Sequence, residues 1–430
     1  MSPTSPTDPP GPPTPPGPAA DRAQRPYVEV LRSIDELPSE AWDRLAPADD
    51  PMWSRGVFAA LERSRVGPDG YAYLTIRQDR RVTAVLPLCL FRDLRLDRIV
   101  GPRERRLLAP LRRLAPRLLR VPMLFCGNLL GQGHVLAAGA LTEETGRLLV
   151  AAVLDFARRE RLGTVVFKDF APAGLDPLRA ALEAGGFFFT PSLPDTELAL
   201  REGSFEEYLA ALPARPRRNA RSKIRKFEAR PELRIEVLDE FGHLLPELLA
   251  LYRQVMARAD QTLDVLDAPF LAAVHGGAGL SRRLVVCFEG ERPVAFLLCL
   301  FAGSGATGAR IGLDYRLAHE ARLYHNVHYA AIRLAMAAGC GHIRFAQTAY
   351  RPKLELGCAL VEQWYAMTHV RPLPRAVLRR LLPRALAAAL AEALGPHAPR
   401  PAPAGPAPNS PAGPAVATER CEERNRHATS

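Results

Sequence analysis

Two distant stretches of this chain repeat one pattern, and that repeat restricts the fold more than any other feature. Residues 73–91 (YLTIRQDRRVTAVLPLCLF) and 282–301 (RRLVVCFEGERPVAFLLCLF) each read as a strand, a charged turn and a second strand ending Leu-Cys-Leu-Phe. Further along, 148–167 (LLVAAVLDFARRERLGTVVF) and 327–345 (VHYAAIRLAMAAGCGHIRF) each read as a helix, a glycine stop and a strand ending in Phe. The same elements in the same order mean two copies of one α/β unit built on a mixed sheet. The gap from hairpin to helix is about 30 residues longer in the first copy, the size of an Arg/Leu-rich insertion at 92–122. In the second copy Val327, Ala330, Ala331, Leu334 and Ala338 share a helical face, and His342–Ala346 alternates as a half-buried strand.

A length of 430 residues has room for two domains. The expected layout is a disordered Pro-rich tail at 1–26, a first domain at 27–200, and a second at 201–372 that begins with a basic helix. A basic, leucine-rich helix interrupted at Pro383 follows at 373–395, then a second disordered tail at 396–430. The strand DTELALR is expected to close the first domain. The N-terminal tail has no basic start with an apolar centre, which argues against a secretory signal. No apolar run is long enough for a transmembrane segment. Seven cysteines without CxxC spacing fit reduced core residues and a cytoplasmic setting, and no His/Cys/Asp cluster has metal-ligand spacing.

Net charge is +11, nearly all of it from arginine, which favours anionic partners. It is concentrated in the segment RRNARSKIRK, where Arg217, Arg218, Arg221, Lys223, Arg225 and Lys226 crowd a few helical turns with only Glu228 close by. Such a face can bind phosphate groups through arginine forks, or it can simply be solvated. The insertion and the C-terminal helix have the composition to lie at the inner face of an anionic membrane, or to pack on the domains. Chemistry-bearing side chains gather in 310–353. Tyr350 and Lys353 follow the last strand, where a lysine can hold an oxyanion and a tyrosine can relay a proton. His325 stands at the helix start as a candidate base, and Asp314 at a strand end could orient an amine. Read alone, each also fits a loop or capping role.

As an ordered set, these segments resemble the Fem-like branch of the GNAT acyltransferase superfamily. That branch includes peptidoglycan-bridge aminoacyltransferases and exopolysaccharide-associated relatives. DPMWSRGVFAALE with its hairpin looks like the first domain of that branch, and SFEEYLAAL…RRNARSKIRKFEA like its basic helix. GERPVAFLLCLF, LYHNVHYAAIRLAMAAGCGHIRF and YRPKLELG look like its second domain, with the resemblance covering about 27–370. It implies tandem GNAT-like domains and an N-acyltransferase that moves an acyl or aminoacyl group to an amine or hydroxyl of a small-molecule or lipid-linked envelope precursor. It implies no permanently bound cofactor, with acyl-CoA or aminoacyl-tRNA as co-substrate. It puts Arg218, Arg221 and Arg225 near phosphates and Lys353 at the cleft. Where relatives commonly carry an acidic residue and glycine before the lysine, Ala346 and Gln347 stand here, with Gln347 a substrate-binding candidate. The pyrophosphate loop Q/R-x-x-G-x-G/A is absent from both halves, so the donor stays open. The alternative is a GNAT-like module without chemistry that binds an anionic envelope precursor or RNA.

Overall fold

The computed structural model describes residues 25–395 apart from 65, 96–112, 114–118, 260–264 and 278. Most of both expected tails and most of the Arg/Leu insertion therefore lie outside the described residues.

The first sheet begins as an antiparallel meander of β1 (Tyr27–Leu31), β2 (Gly70–Gln78), β3 (Arg81–Arg95) and β4 (Arg120–Cys126), with the short β5 (Leu136–Ala137) on β3. Before β2 come helices α1 (Ser39–Leu45) and α2 (Arg55–Arg63). Helix α3 (Glu143–Arg159) then leads into β6 (Thr164–Phe170), which pairs parallel to β4. Thr142 caps α3, and Glu143 and Glu144 sit in its first turn, where the helix dipole favours negative charge. The strands β7 (Phe188–Pro191) and β8 (Asp195–Ala199) follow.

The second half repeats the plan. Helices α4 (Phe205–Ala211) and the basic α5 (Ala214–Glu228) precede β9 (Leu233–Leu238), then come α6 (Leu245–Met256) and α7 (Ala268–Gly276). The meander is β10 (Ser281–Glu289), β11 (Arg292–Ala302) and β12 (Gly305–Leu313). Helix α8 (Leu323–Ala337) crosses to β13 (His342–Arg344), which is parallel to β12. The chain ends with α9 (Tyr350–Glu355), β14 (Ala359–Val361), β15 (Trp364–His369) and α10 (Pro372–Leu394). Helix α10 runs through Pro383 without the expected interruption.

The two halves exchange strands. The sheet orders are β1-β2-β3-β4-β6-β15-β7 and β14-β8-β13-β12-β11-β10-β9. The strand expected to close the first sheet, β8, instead pairs with β13 in the second, Ile343 opposite Leu198. In return β15 pairs with β6 of the first sheet, Met367 opposite Val166. One apolar core joins both sheets, running from Phe125, Val166 and Met367 to Leu284, Phe296 and Leu298 through α2, α6 and α7. A second core lies under α8, where Val327, Ala331, Ile332 and Ala335 meet Val285, Leu297 and Ile343. Together these features fix β12, β13 and α8 relative to the first half.

Candidate active site

The site is built where the second sheet splits. Strands β12 and β13 pair only over Gly305–Thr307 and His342–Arg344. Immediately beyond, β12 bulges: Leu298 faces Arg310 and Cys299 faces Gly308, leaving Ala309 as the extra residue. From Gly308 to Leu313 the β13 side of β12 has no strand partner among the described residues. The Phe345 ring lies at the base of the fork, so close to Gly308 that a Cβ there would lie 2.7 Å from it.

Strand β13 ends sooner than alternation suggests because the next turn is left-handed. Ala346 (φ 58°), Thr348 (φ 64°) and Ala349 (φ 48°) all adopt the conformation that glycine favours, at a cost on the order of 1 kcal/mol or more each. Side chains hold this turn from several directions. Lys353 Nζ donates to Ala346 O (2.9 Å) and Gln347 O (2.8 Å), and Thr196 Oγ1 donates to Ala346 O (2.7 Å). Gln347 Nε2 donates to Leu193 O and Gln363 Oε1, both at 2.8 Å.

The opposite wall is the start of α8. Its first residues follow a left-handed Arg322 (φ 54°). Asn326 Nδ2 donates to Arg322 O (3.1 Å) and Lys223 O (3.3 Å), fastening α5 against this helix end. Tyr324 stacks on His328 at 4.2 Å between centroids, and His328 packs on Phe345 at 4.8 Å. A column of three rings therefore runs from the helix start to the fork. His328 Nδ1–H donates to Tyr324 O (2.6 Å), and burial pushes its pKa down to about 3, so the ring is neutral. Burial pushes the Tyr324 phenol up, so it stays protonated. Its side chain is half-buried, and its hydroxyl makes no hydrogen bond to another described residue.

The expected site residues fall into three groups. Tyr350 and Lys353 are buried on α9 and spend their donors on backbone, with Tyr350 Oη donating to Pro194 O at 2.9 Å. Burial lowers Lys353 to about 8 against the attraction of Asp195. With Gln347 they support the turn. A second group is His325, Lys223 and Glu355. Lys223 Nζ lies 2.8 Å from His325 Nε2 and 2.5 Å from Glu355 Oε2. Burial and then Lys223 push His325 down to about 4, and Lys223 occupies its Nε2 lone pair. Burial opposes ionisation of Glu355, yet the Lys223 bond and charge hold it below the usual carboxylate range. Asp314 stands apart as a cap: it accepts from Arg316 N (3.0 Å) and pairs with Arg292 and Arg316.

The third group is the outer face of α5. Arg218, Arg221, Arg225 and Lys226 are exposed and without an ion-pair or hydrogen-bond partner among the described residues. The first three lie at i, i+3 and i+7, opposite buried Ala220 and half-buried Ile224 and Phe227. Arg217 is tied to Ala210 O at 2.7 Å. Sequence reasoning passed over Tyr324 and Arg322. The four-residue spacing of Tyr324 and His328 at a helix start was the available signal.

Residues 214–354 match the family model of the acetyltransferase (GNAT) domain. The described residues have a tandem GNAT-like fold, and Fem-like proteins are among the solved structures that share it. FemX superposes with a TM-score of 0.50 at 11% identity, covering 82% of this chain and 99% of that one. L-PGS from Bacillus licheniformis gives a TM-score of 0.49 at 11% identity, covering 84% and 99%. A tandem GNAT protein from the clavulanic acid biosynthesis pathway gives 0.44 at 14% identity, covering 80% and 99%. No curated protein matches the chain by sequence.

Proposed function

We propose that this protein is an N-acyltransferase that takes its acyl group from a CoA thioester and passes it to an amine or hydroxyl of a cell-envelope or polysaccharide precursor. The observation that carries the reading is the bulged, unpartnered edge of β12 opposite the Tyr324–His328–Phe345 column, inside the segment matched to the GNAT domain. A donor laid along that edge meets free backbone groups, and the bulge at Ala309 re-aims one of them toward the fork. The acceptor nitrogen or oxygen attacks the thioester carbonyl, and a β12 N–H stabilises the oxyanion. When the C–S bond breaks, the departing thiolate takes the Tyr324 phenolic proton, and the proton that the acceptor sheds passes through water back to the Tyr324 phenolate. Proximity supplies most of the acceleration.

The remaining residues take supporting roles. Arg322 at the start of α8 and the stripe Arg218, Arg221 and Arg225 suit the donor phosphates, where helix dipole and guanidinium forks act together. Lys353, Tyr350 and Gln347 position the turn that ends β13. The acceptor class rests on the likeness to the Fem-like branch alone, and the aminoacyl-tRNA donor gains no support from the site or the matched family.

A second reading, a GNAT-like module without chemistry, is favoured by one observation: Tyr350, Lys353 and Gln347 are all committed to structure. Titration with acetyl-CoA, a long-chain acyl-CoA and a charged tRNA pool, read by thermal shift and by thiol release with an amine acceptor, separates the two. Saturable acyl-CoA binding, weakened in R221A/R225A and accompanied by thiol release that Y324F slows by about 100-fold, supports the transferase. Binding with no thiol release across a panel of acceptors supports the module.

A further inference from the structure

We propose that the outer face of α10 docks on an anionic lipid surface. The inference goes beyond the transfer chemistry and does not depend on it. Helix α10 has two distinct apolar stripes. Leu378, Leu382 and Leu386 face inward and pack on the core shared by the two sheets. Arg375 fastens the same side, its Nε donating to His369 O at 3.1 Å. The helix is therefore anchored on β7 and β15, and its other stripe has no role in that packing.

That other stripe is Leu373, Val377 and Leu381, at i, i+4 and i+8. They are 81%, 56% and 59% exposed, and Leu373 is the most exposed large apolar residue among those described. Exposed Arg380 and Arg384 stand within the same outward arc, with no ion-pair partner among the described residues. The helix contains no acidic residue before Glu392. A stripe of leucine and valine set among unpaired arginines matches a surface that is apolar just beneath a layer of negative charge, which is the profile of an anionic bilayer. Pairing with a second copy of the same face would bring like charges together, and a nucleic acid would leave the three apolar side chains without a matching surface. The rigid mounting means that little conformational entropy is lost on docking.

The test is co-sedimentation of the full chain with vesicles of phosphatidylcholine alone or mixed with phosphatidylglycerol. Binding is expected only to the mixed vesicles. R380A/R384A should weaken it by about 30-fold, from roughly 1 kcal/mol per arginine near the surface, and L373S/V377S/L381S by at least 10-fold. All five positions are exposed, so unchanged melting temperatures should accompany these losses. R221A/R225A is the control and should bind vesicles as the unmodified chain does. Absence of binding to the mixed vesicles overturns the proposal, as does loss of binding in R221A/R225A with retention in both α10 variants. Self-association through α10, lost in the same serine variant while vesicles stay unbound, would assign the face to a second copy instead.

Discussion

Lys353 holds the backbone of Ala346: its ammonium donates to the Ala346 carbonyl at 2.9 Å and keeps a left-handed alanine in place at the fork of the sheet. The lysine expected to face a substrate thus faces the chain. Replacing it with methionine should cost about 1–3 kcal/mol at pH 7, because the Gln347 carbonyl loses its donor while Ala346 O keeps only Thr196. The pH dependence is more diagnostic. The unfolded lysine titrates near 10.4, whereas burial lowers the folded one to about 8. Between those values the unfolded chain binds more protons, so stability from this residue rises with pH. The cost of K353M should therefore grow between pH 7 and pH 10, by up to roughly 3 kcal/mol. Urea melts at the two pH values check this, and a flat difference would mean that the ammonium is solvated.

Tyr324 tests the chemistry separately from the scaffold. Y324F keeps the ring on His328 and removes only a hydroxyl that makes no hydrogen bond to another described residue. The expected result is a fall in kcat of about 100-fold, with acyl-CoA affinity and melting temperature unchanged. Y350F should do the reverse. It removes the bond to Pro194 O and loosens the turn, lowering stability by about 1 kcal/mol while leaving more turnover than Y324F. Equal turnover in Y324F and the unmodified enzyme would remove Tyr324 from the reaction.

The contrast between these two tyrosines shows how far sequence could reach. The hairpins, the helix–glycine–strand crossovers and the basic helix were legible because each is written locally, in periodicity and glycine stops. Sheet membership of β8 and β15 was not. Alternation in Asp195–Ala199 says which residues share a face but not which neighbour supplies the hydrogen bonds, and tertiary packing decided that in favour of β13. Tyr350, Lys353 and Gln347 drew attention as long polar side chains after a strand. Nothing local announced that Ala346, Thr348 and Ala349 would be left-handed and would require those donors. Lys223 likewise looked like one more cation of the stripe, yet the turn of α5 brings it inward onto Glu355 and His325.

His328 makes the protein acid-sensitive. Its pKa falls from about 6.5 unfolded to about 3 in the fold. As pH drops through that window the unfolded chain takes up the proton first, so stability is lost. His325 and His134, each lowered to about 4 with burial the first cause, act in the same direction. Asp50 and Asp195, raised by burial, act in the opposite direction, so the raw acid profile mixes both. The difference between H328F and the unmodified protein isolates one group. H328F retains an aromatic ring between Tyr324 and Phe345, and its loss of stability from pH 6.5 to pH 4 should be shallower by roughly 2–3 kcal/mol. Parallel acid profiles would show that the imidazole is not buried in the column.

Arg344 joins the two halves beside the fork. Its Nη1 meets Asp50 Oδ2 at 3.0 Å in the first half, and its Nε meets Glu197 Oε2 at 2.8 Å on the exchanged strand β8. Asp50 is only 4% exposed and also accepts from Met52 N at 3.0 Å. R344M should therefore cost about 3–5 kcal/mol, because it strands a buried carboxylate. Neutralising the partners separates that penalty from loss of the tether itself. R344M/D50N/E197Q should recover most of the stability if the loss comes from uncompensated charge, since an amide tolerates burial better than a carboxylate. Turnover distinguishes the tether's second role. Strand β13 is held to β8 by Arg344 and begins the turn that Lys353 supports, so a rescued triple variant that melts normally but turns over more slowly would show that the exchange of β8 positions the fork. If R344M alone melts like the unmodified protein, the two halves are held by their shared apolar core and the ion pairs contribute nothing measurable.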